Sequence, residues 1–510
     1  MAKQENKGSG CKFYLEKKKR FCRFAPKPGV DYCQEHACIL GIEIDRKRIP
    51  CPLDPSHNCY ADKLQKHLKK CNVTKLRKVT EEAEFFSRGI NMGPTVDVPT
   101  EQKNISVREV TSEQLAALIE KVKKLYEAHV DKPETVILEH PCVKTEYNGK
   151  EEANNEAGES TELKKTLEEN PGLRKELLQQ ASLVAQLDSL SLLDKINWFV
   201  ELGAGKGKLS HWVEKAYQGN EQASYLLVDR SSVRYKMDSF HKEDSGASKF
   251  KRIKVDIADL CLGYVSDVRP KDSVVVMGKH LCGGATDLGI RCAVDSLGIR
   301  RSGDEGKSEA EASQEPPAKA QKLVAEDDGA EKGSSLPRGI MIALCCHHRC
   351  DWATYVGREF MQNCGVTPVE FDLLTRLSSW ATCARGKWRN FSKDSADATD
   401  SPKDLGPQED RKDNAGEIDA DEQPGDHVAD DLVTSKSSNA LRESLSVTVR
   451  ENIGRKCKRL IDTGRLHYLR SKGMTCCLRE YVSGEITPEN VVLLAHCEPV
   501  SSSPHRKTTE

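Results

Sequence analysis

The chain has 510 residues, enough for roughly two to four domains, and a formal net charge of −1 from 78 basic and 79 acidic side chains. This balance hides an asymmetry, since residues 1–80 hold 19 basic against 8 acidic side chains and residues 393–440 hold 5 against 14. No apolar run reaches the roughly 18 residues of a membrane span and the first residues are polar, so we expect neither a membrane protein nor a secreted one.

The cysteine content bears on the compartment. We expect an intracellular protein of the nucleus or cytoplasm, where the 20 cysteines stay reduced. Clustered Cys and His then indicate metal binding. The basic front end indicates a polyanionic partner, although a solvated surface explains the charge alone equally well. We expect neither a membrane nor a DNA partner.

The first cluster of potential metal ligands lies in a predicted module over residues 1–45, with the pattern C-x10-C-x10-C-x2-H. Three thiolates and one imidazole complete a tetrahedral zinc site. The segment has too few large apolar residues for a core of its own, so metal binding would supply its folding free energy. The four ligands are Cys11, Cys22, Cys33 and His36.

A second cluster lies in the next predicted module, residues 46–78, with the pattern C-x5-H-x9-H-x3-C. Its last two ligands are four residues apart, which places both on one face of a helix whose lysines form a ready phosphate-binding surface. Unconnected Cys and His are the alternative for each cluster, but two complete sets so close together argue against it. Cys38 and Cys59 could replace a named ligand. The ligands are Cys51, His57, His67 and Cys71, and the lysines are Lys63, Lys66, Lys69 and Lys70.

Residues 79–190 are expected to form a helical linker without a catalytic role. Apolar residues recur at helical spacing from Leu115 to Leu125, after Ser112, which could cap the helix. A second helical stretch, 173–193, leads into the first strand of the domain that follows.

Residues 191–500 predict an α/β domain with a doubly wound parallel sheet. Five strands alternate with helical segments, and two more, joined by a short connection, close the sheet as an antiparallel pair. Residues 301–337 and 393–440 have too few apolar residues to offset the entropy of ordering, so we expect disordered insertions there, followed by a tail at 501–510. The predicted strands are 196–201, 224–229, 252–257, 273–279, 338–346, 473–482 and 490–497.

A glycine-rich loop follows the first of these strands. Its sequence ELGAGKG places Glu201 ahead of Gly203, Gly205 and Gly207, and a helix start follows. This arrangement lets backbone approach a nucleotide-like ligand. Asp229 ends the second strand, where a carboxylate can accept both ribose hydroxyls of an adenosine cofactor. The loop resembles that of Rossmann-like methyltransferases that bind S-adenosylmethionine more than the dinucleotide loop GxGxxG.

Three further motifs fall at carboxyl ends of strands, where ligands bind in such sheets. Asp256 is expected to face the adenine amino group or to cap the next turn. Lys279 and His280 follow the fourth strand, where either could orient or deprotonate a hydroxyl, and Lys279 could stabilise an alkoxide. A surface lysine and a loop-capping histidine are the alternative. The motif CCHHRCDW, residues 345–352, could be a third metal site. Because adjacent ligands seldom point the same way, we favour a role in shaping the site, or a buried structural role for the two cysteines.

A basic helix end, RKCKRLIDTGR, spans residues 455–465. Its cations could hold RNA phosphates at the same edge of the sheet, or form a solvated helix face.

Taken together, these motifs resemble one family, the eukaryotic tRNA 2'-O-methyltransferases that modify the fourth nucleotide of the acceptor stem. The first cluster resembles that family's CCCH finger, and the second resembles the CHHC finger that the family shares with a minor-spliceosome protein. The segments ELGAGKGKLSHW, GKHLCGGATDL, CCHHRCDWATYVG and RKCKRLIDTGR resemble its catalytic domain.

The resemblance implies methyl transfer from S-adenosylmethionine to a ribose 2'-hydroxyl in tRNAs for glycine, proline and histidine, by an enzyme with two zinc ions. The fingers would grip the acceptor stem by its shape and phosphates, because A-form RNA hides its base edges. Two alternatives remain, a non-catalytic zinc-finger RNA-binding protein of a splicing-type complex and a protein methyltransferase. The intact cofactor loop argues against the first and the basic fingers against the second.

Overall fold

The computed structural model shows a mixed α/β chain with a central, mostly parallel sheet behind two small N-terminal modules. Of the predicted insertion 301–337 only the last two residues are described, and 393–440 and the tail 501–510 lie outside the described part. No helix within the described part is long and apolar enough to cross a membrane. The structure describes residues 10–15, 19–26, 29–40, 42, 48–95, 107, 109–143, 170–217, 223–231, 237, 249–299, 336–383, 441 and 444–497.

The central sheet has eight strands in the order β5-β11-β12-β10-β9-β6-β7-β8. The strands β10, β9, β6, β7 and β8 run parallel, whereas β12 pairs antiparallel with both β10 and β11, and β5 pairs parallel with β11. The strands are β5 (Glu134–Thr135), β6 (Trp198–Leu202), β7 (Ser224–Asp229), β8 (Lys249–Lys254), β9 (Val274–Gly278), β10 (Gly339–Ala343), β11 (Thr475–Glu480) and β12 (Val491–His496).

The predicted parallel sheet with a closing antiparallel pair is confirmed. The short strand β5 was not predicted, and β8 ends before Asp256 rather than after it. The strands β6, β9 and β10 are buried along their whole length and, apart from Glu201, carry no polar side chain, because both faces of the sheet are covered. Along β6, Val200 and Leu202 join one apolar cluster and Phe199 joins the other.

Helices cover both faces of the sheet. The helix α5 packs on one face through Leu183 and Leu187, and α11 packs on the other through Leu466 and Leu469. The helices are α4 (Ser112–His129), α5 (Pro171–Ser189), α6 (Lys208–Ala216), α7 (Gly284–Arg291), α8 (Arg358–Asn363), α9 (Pro368–Ser378), α10 (Trp380–Cys383) and α11 (Val447–Ser471), numbered after three helices of the N-terminal modules.

Two helices of the predicted linker, α4 and α5, pack against the sheet domain. Thr111, not Ser112, caps α4, in a reciprocal capping box with Gln114. The apolar face of α4 packs in a cluster with α9 and α11. The helix α5, capped by Asn170, covers the sheet. These two helices therefore belong to the body of the domain.

Each N-terminal module is a short hairpin followed by one or two helices. The first contains β1 (Tyr14–Leu15), β2 (Arg20–Phe21) and α1 (Gln34–Ile39). The second contains β3 (Arg48–Cys51), β4 (Asp54–Tyr60), α2 (Leu64–Lys70) and α3 (Asn72–Glu81).

The segment after α3 ties the second module to the sheet domain. The buried Asn91 donates its side-chain N–H groups to the backbone carbonyls of Ile257 at 2.6 Å and Leu260 at 2.8 Å. The backbone N–H of Ser87 donates to the carbonyl of Asp259 at 2.8 Å. The module is therefore anchored at the loop that follows β8.

Candidate functional site

The first cluster of predicted metal ligands converges in the structure. The Nδ1 atom of His36 lies 3.4 Å from the Cys11 sulfur and 3.3 Å from the Cys33 sulfur, and the Cys22 and Cys33 sulfurs are 4.0 Å apart. The His36 ring stacks on Phe13 with centroids 4.0 Å apart, which fixes its orientation. Three thiols and one imidazole at this spacing fit one tetrahedral zinc ion.

The second cluster converges in the same way. The Nε2 atoms of His57 and His67 are 3.2 Å apart, His67 lies 3.3 Å from the Cys51 sulfur, and the sulfurs of Cys51 and Cys71 are 4.0 Å apart. The spare Cys59 is buried on β4 but is not among the converging ligands. The four lysines of this module, at positions 63, 66, 69 and 70, are exposed.

A cleft of about 1310 Å³ lies at the carboxyl ends of the parallel strands. The glycine loop after β6, the end of β7, the loop after β8 and the loop after β9 line it, and α5 forms a further wall. The structure thus brings both predicted catalytic residues and all the predicted cofactor residues except Gly207 to one site. The residues are Glu201, Gly203, Gly205, Asp229, Asp256, Lys279 and His280.

The glycine loop has the backbone conformation that glycine permits. Gly205 has a φ of 49° and Gly207 a φ of 76°, in the left-handed region. A Cβ at Gly207 would lie 2.6 Å from a methyl group of Leu227, whereas one at Gly205 would meet no atom within 4 Å. Gly207 is therefore needed for packing, and Gly205 leaves open space beside the backbone where a ligand can approach.

Asp229 is held at the end of β7 by the loops on either side of it. Its Oδ2 accepts from the backbone N–H of Gly205 at 2.8 Å, and its Oδ1 accepts from that of Ser231 at 2.7 Å. Each carboxylate oxygen keeps a further lone pair, so the group can also accept from a ribose. Asp256 caps the turn at 257–259 through the Ala258 N–H at 3.0 Å, and it also lines the cleft.

Glu201 lies beneath the loop. Its carboxylate accepts from the backbone N–H of Ser210 at 3.0 Å and from the Ser210 hydroxyl, in the first turn of α6. Burial raises the pKa of Glu201 to about 7 because desolvation disfavours the carboxylate, and the two bonds from Ser210 oppose the shift. Its clearest contribution is to fix the loop against the helix.

Lys279 and His280 differ in their surroundings. Lys279 is 8% exposed, and no hydrogen bond or ion pair joins its ammonium to a residue in the described part of the chain. Burial lowers its pKa because desolvation disfavours the ammonium, while attraction to Glu176 opposes the shift. His280 is exposed at the cleft. A buried cation that lines a cleft and forms no ion pair with a described residue is a candidate for acting on a ligand.

Sequence reasoning missed the wall formed by α5. Glu176 lines the cleft and pairs with Lys208 at 2.6 Å. The buried Gln180 also lines the cleft, and its side-chain oxygen has no hydrogen-bond partner among the described residues. Such an acceptor suits an ammonium or hydroxyl of a bound molecule. The sequence signal was weak because these polar residues lie within an ordinary helical pattern.

The sequence suggested that the cations of the basic motif 455–465 could hold RNA phosphates. In the structure, most of these cations instead lie inside the domain. Lys458 is buried and pairs with Glu489 at 2.5 Å. Arg465 is fully buried and pairs with Asp287 at 2.7 Å. Among the motif's cations Arg455 alone stays largely exposed, with 55% of its side chain accessible. The motif is mainly an internal scaffold.

The fold and site define a Rossmann-like methyltransferase with zinc modules at its N-terminus. The chain belongs to the family described as Methyltransferase TRM13, whose model matches residues 178–496. Residues 9–37 match a model described as CCCH zinc finger in TRM13 protein, and residues 48–72 match the U11-48K-like CHHC zinc finger. The resemblance found in the motifs is thereby confirmed.

Relatives match almost the whole chain. A mouse (Mus musculus) protein named tRNA:m(4)X modification enzyme TRM13 homolog is 36% identical over 98% of this chain and 96% of its own length. The human (Homo sapiens) protein of the same name is 36% identical over 95% of this chain and 94% of its own length. The Saccharomyces cerevisiae protein named tRNA:m(4)X modification enzyme TRM13 is 27% identical over 95% of each chain. No solved structure matches.

Proposed function

We propose that this methyltransferase transfers a methyl group from S-adenosylmethionine to the ribose 2'-hydroxyl of the fourth nucleotide in the acceptor stem of tRNAs for glycine, proline and histidine. The names of its relatives support a tRNA substrate. The zinc-thiolate sites need reduced cysteines, which agrees with an intracellular enzyme.

The observation that carries the proposal is the cleft, which combines the glycine loop and Asp229 with a buried lysine. Three features fit the cofactor. The backbone at Gly205 is open to an approaching ligand, and Asp229 retains lone pairs for ribose hydroxyls. The side-chain oxygen of Gln180 accepts no hydrogen bond from a described residue, so it can accept one from the cofactor. When bound, S-adenosylmethionine supplies a methyl group on a sulfonium that is already activated for transfer.

The residues of the chain then have to place the acceptor hydroxyl in line and assist the loss of its proton. Lys279 is buried and lines the cleft together with the glycine loop and α5. Its ammonium would stabilise the negative charge that develops on the 2'-oxygen, in a site where burial strengthens that attraction. His280 is the competing candidate to receive the proton.

The N-terminal modules would bind the stem. The exposed lysines of α2 and the turn before it form no ion pair with any described residue, so they are available to phosphates. The anchoring of Asn91 at the loop after β8 keeps this surface attached to the rim of the cleft. Recognition through backbone phosphates suits an A-form stem.

The proposal is tested by mapping the modified nucleotide. Unmodified tRNA is incubated with the enzyme and labelled S-adenosylmethionine, and then hydrolysed in alkali. A 2'-O-methyl group blocks cleavage, so we expect one gap in the ladder after the fourth nucleotide. Label without a gap would place the methyl group on a base. Label that survives nuclease treatment would show a protein substrate, and absence of cofactor binding would favour the non-catalytic RNA-binding alternative.

Replacing Asp229 with asparagine should weaken cofactor binding by about 10- to 100-fold, because a hydrogen bond to a charged group is worth about 1.5–3 kcal/mol. Gly205→Glu should abolish binding, since it fills the open space with a side chain at an unfavourable φ. Titration calorimetry measures both. Asp194→Ala, an exposed aspartate outside the cleft lining, is the matched control. Wild-type affinity in both cleft variants would contradict the assignment.

Replacing Cys51 or Cys11 with serine should remove one zinc ion each and weaken tRNA binding more than cofactor binding. The reason is that each module depends on its ion for folding, whereas the cleft belongs to the sheet domain. Elemental analysis and filter binding check the two effects. Cys59→Ser is the control, because that buried thiol lies outside the ligand cluster. Full zinc content in the Cys51 variant would refute the ligand set.

A further inference from the structure

A cluster of three cysteines lies at the cleft and takes no part in the proposed transfer. Cys282 follows β9 and lines the cleft, and Cys345 and Cys346 follow β10. The three sulfurs all lie within 4.8 Å of one another, and those of Cys282 and Cys345 are 3.4 Å apart. Because β9 and β10 are adjacent parallel strands, two loops distant in sequence meet here.

The spacing of the sulfurs resembles that in the two zinc modules of the same chain. Cys22 and Cys33, and likewise Cys51 and Cys71, hold their sulfurs 4.0 Å apart, and in all three clusters the ligand atoms lie within 4.8 Å of one another. A disulfide needs about 2.05 Å between its sulfurs. Two sulfurs that each lie about 2.3 Å from one zinc ion are instead separated by roughly the sulfur–sulfur distances of this cluster.

The backbone at Cys346 is bent to bring two neighbouring thiols together. Cys346 has a φ of 46° and a ψ of 40°, in the left-handed region that side chains other than glycine rarely occupy. Such a conformation costs about 1–3 kcal/mol and persists where the surroundings require it. In extended backbone, adjacent side chains point to opposite faces. The sequence-based argument against a metal site, that adjacent ligands seldom point the same way, is therefore wrong for Cys345 and Cys346.

The two loops that carry the cysteines are packed tightly. Gly283 has a φ of 60°, and a Cβ there would collide with Arg349 in the turn after Cys346. All three cysteines are half-buried, so the cluster is partly shielded, and Cys282 also lines the cleft. Close packing preorganises the thiols before any ion binds.

We propose that Cys282, Cys345 and Cys346 bind a third zinc ion through three thiolates. Soft thiolate ligands favour zinc over the hard cations magnesium and calcium. Three protein ligands leave the fourth tetrahedral position for an exchangeable water, as in zinc sites that contact substrates. The ion would crosslink the two loops next to the cleft, one of which also carries Lys279. The site does not depend on the identity of the methyl acceptor.

The first test is elemental analysis of the full chain purified without added metal. We expect three zinc ions per chain, one remaining ion in the Cys11→Ser/Cys51→Ser double variant, and none when Cys345→Ser is added. Cys364→Ser, a half-buried thiol outside the three clusters, should keep all three ions. Two zinc ions in the wild type, or iron or copper in place of the third, would overturn the proposal and leave the methyltransferase assignment intact.

The second test needs no variant and so is unaffected by misfolding. Native protein is treated with iodoacetamide without reductant, before and after chelation, and its peptides are mapped by mass spectrometry. A zinc site predicts that the three cysteines are protected before chelation and alkylated after it. Alkylation at both stages would show free thiols, and protection at both stages with the mass of a Cys282–Cys345 disulfide would show a redox pair. Either result overturns the zinc site.

Discussion

Replacing Lys279 with methionine is expected to slow single-turnover methyl transfer by about 10²- to 10⁴-fold, the usual contribution of a positioned group that assists proton loss. Affinities for cofactor and tRNA should change little, because the ammonium acts on charge that develops during the reaction. Methionine fills a similar volume and removes only the charge. Rapid-quench measurement with enzyme in excess over tRNA isolates the chemical step.

The same replacement should raise the thermal midpoint of the sheet domain. Burial lowers the pKa of Lys279, which means that the folded state binds this proton less tightly than the unfolded chain does. At neutral pH the buried ammonium therefore reduces stability, and this penalty disappears as pH rises toward the lysine's ordinary pKa. A loss of rate together with a gain in stability separates a functional lysine from a structural one. Lys271→Met, at an exposed site outside the cleft, should change neither quantity.

The pH profile distinguishes the two chemical roles. If Lys279 acts as a cation, the ratio of the wild-type rate to that of the Lys279→Met variant falls as pH rises and the ammonium deprotonates. If Lys279 acts as the base, this ratio rises instead, because only the neutral amine accepts a proton. The ratio cancels effects of pH on the tRNA itself. A full rate in Lys279→Met combined with a loss in His280→Ala would transfer the role to His280.

The features that the sequence predicted correctly are mostly those whose residues lie close together along the chain. The glycine loop and the strands around it are contiguous, so periodicity and glycine spacing sufficed to place Gly205 near Asp229. The zinc ligands also lie within short segments, where spacing alone restricts which residues can meet. The antiparallel pairing of the last two strands followed from the short connection between them, but the sequence did not predict that β12 lies between β10 and β11.

What the sequence could not show depends on partners distant along the chain. The cations of the motif 455–465 resemble a nucleic-acid surface until Glu489 and Asp287 are found beside them. Gln180 and Glu176 become wall residues only once α5 is packed beside the glycine loop. The sulfurs of Cys345 and Cys346 converge because Cys346 has a left-handed backbone conformation. Cysteine has no preference for this conformation, so nothing in the sequence indicated it.

Replacing Arg465 with methionine is expected to destabilise the sheet domain by about 3–5 kcal/mol, because removing one partner of a buried ion pair leaves the other charge uncompensated. The guanidinium is fully buried and donates to both oxygens of Asp287, at 3.1 Å and 2.7 Å. It also donates to Asp462 at 3.0 Å, and Asp462 in turn pairs with His347 at 2.8 Å. One residue thus holds α11, α7 and the turn after Cys346 together beneath the cleft.

Denaturant unfolding followed by tryptophan fluorescence measures the loss. Arg455→Met is the matched control on the same helix, because 55% of the Arg455 side chain is exposed and its ion pair with the buried Glu451 is 3.6 Å long, so a smaller loss is expected. Adding Asp287→Asn to Arg465→Met removes one stranded charge and should recover part of the stability. Equal stability of the Arg465 and Arg455 variants would show that the buried network contributes little to the fold. Loss without recovery in the double variant would assign the effect to packing of the arginine side chain instead.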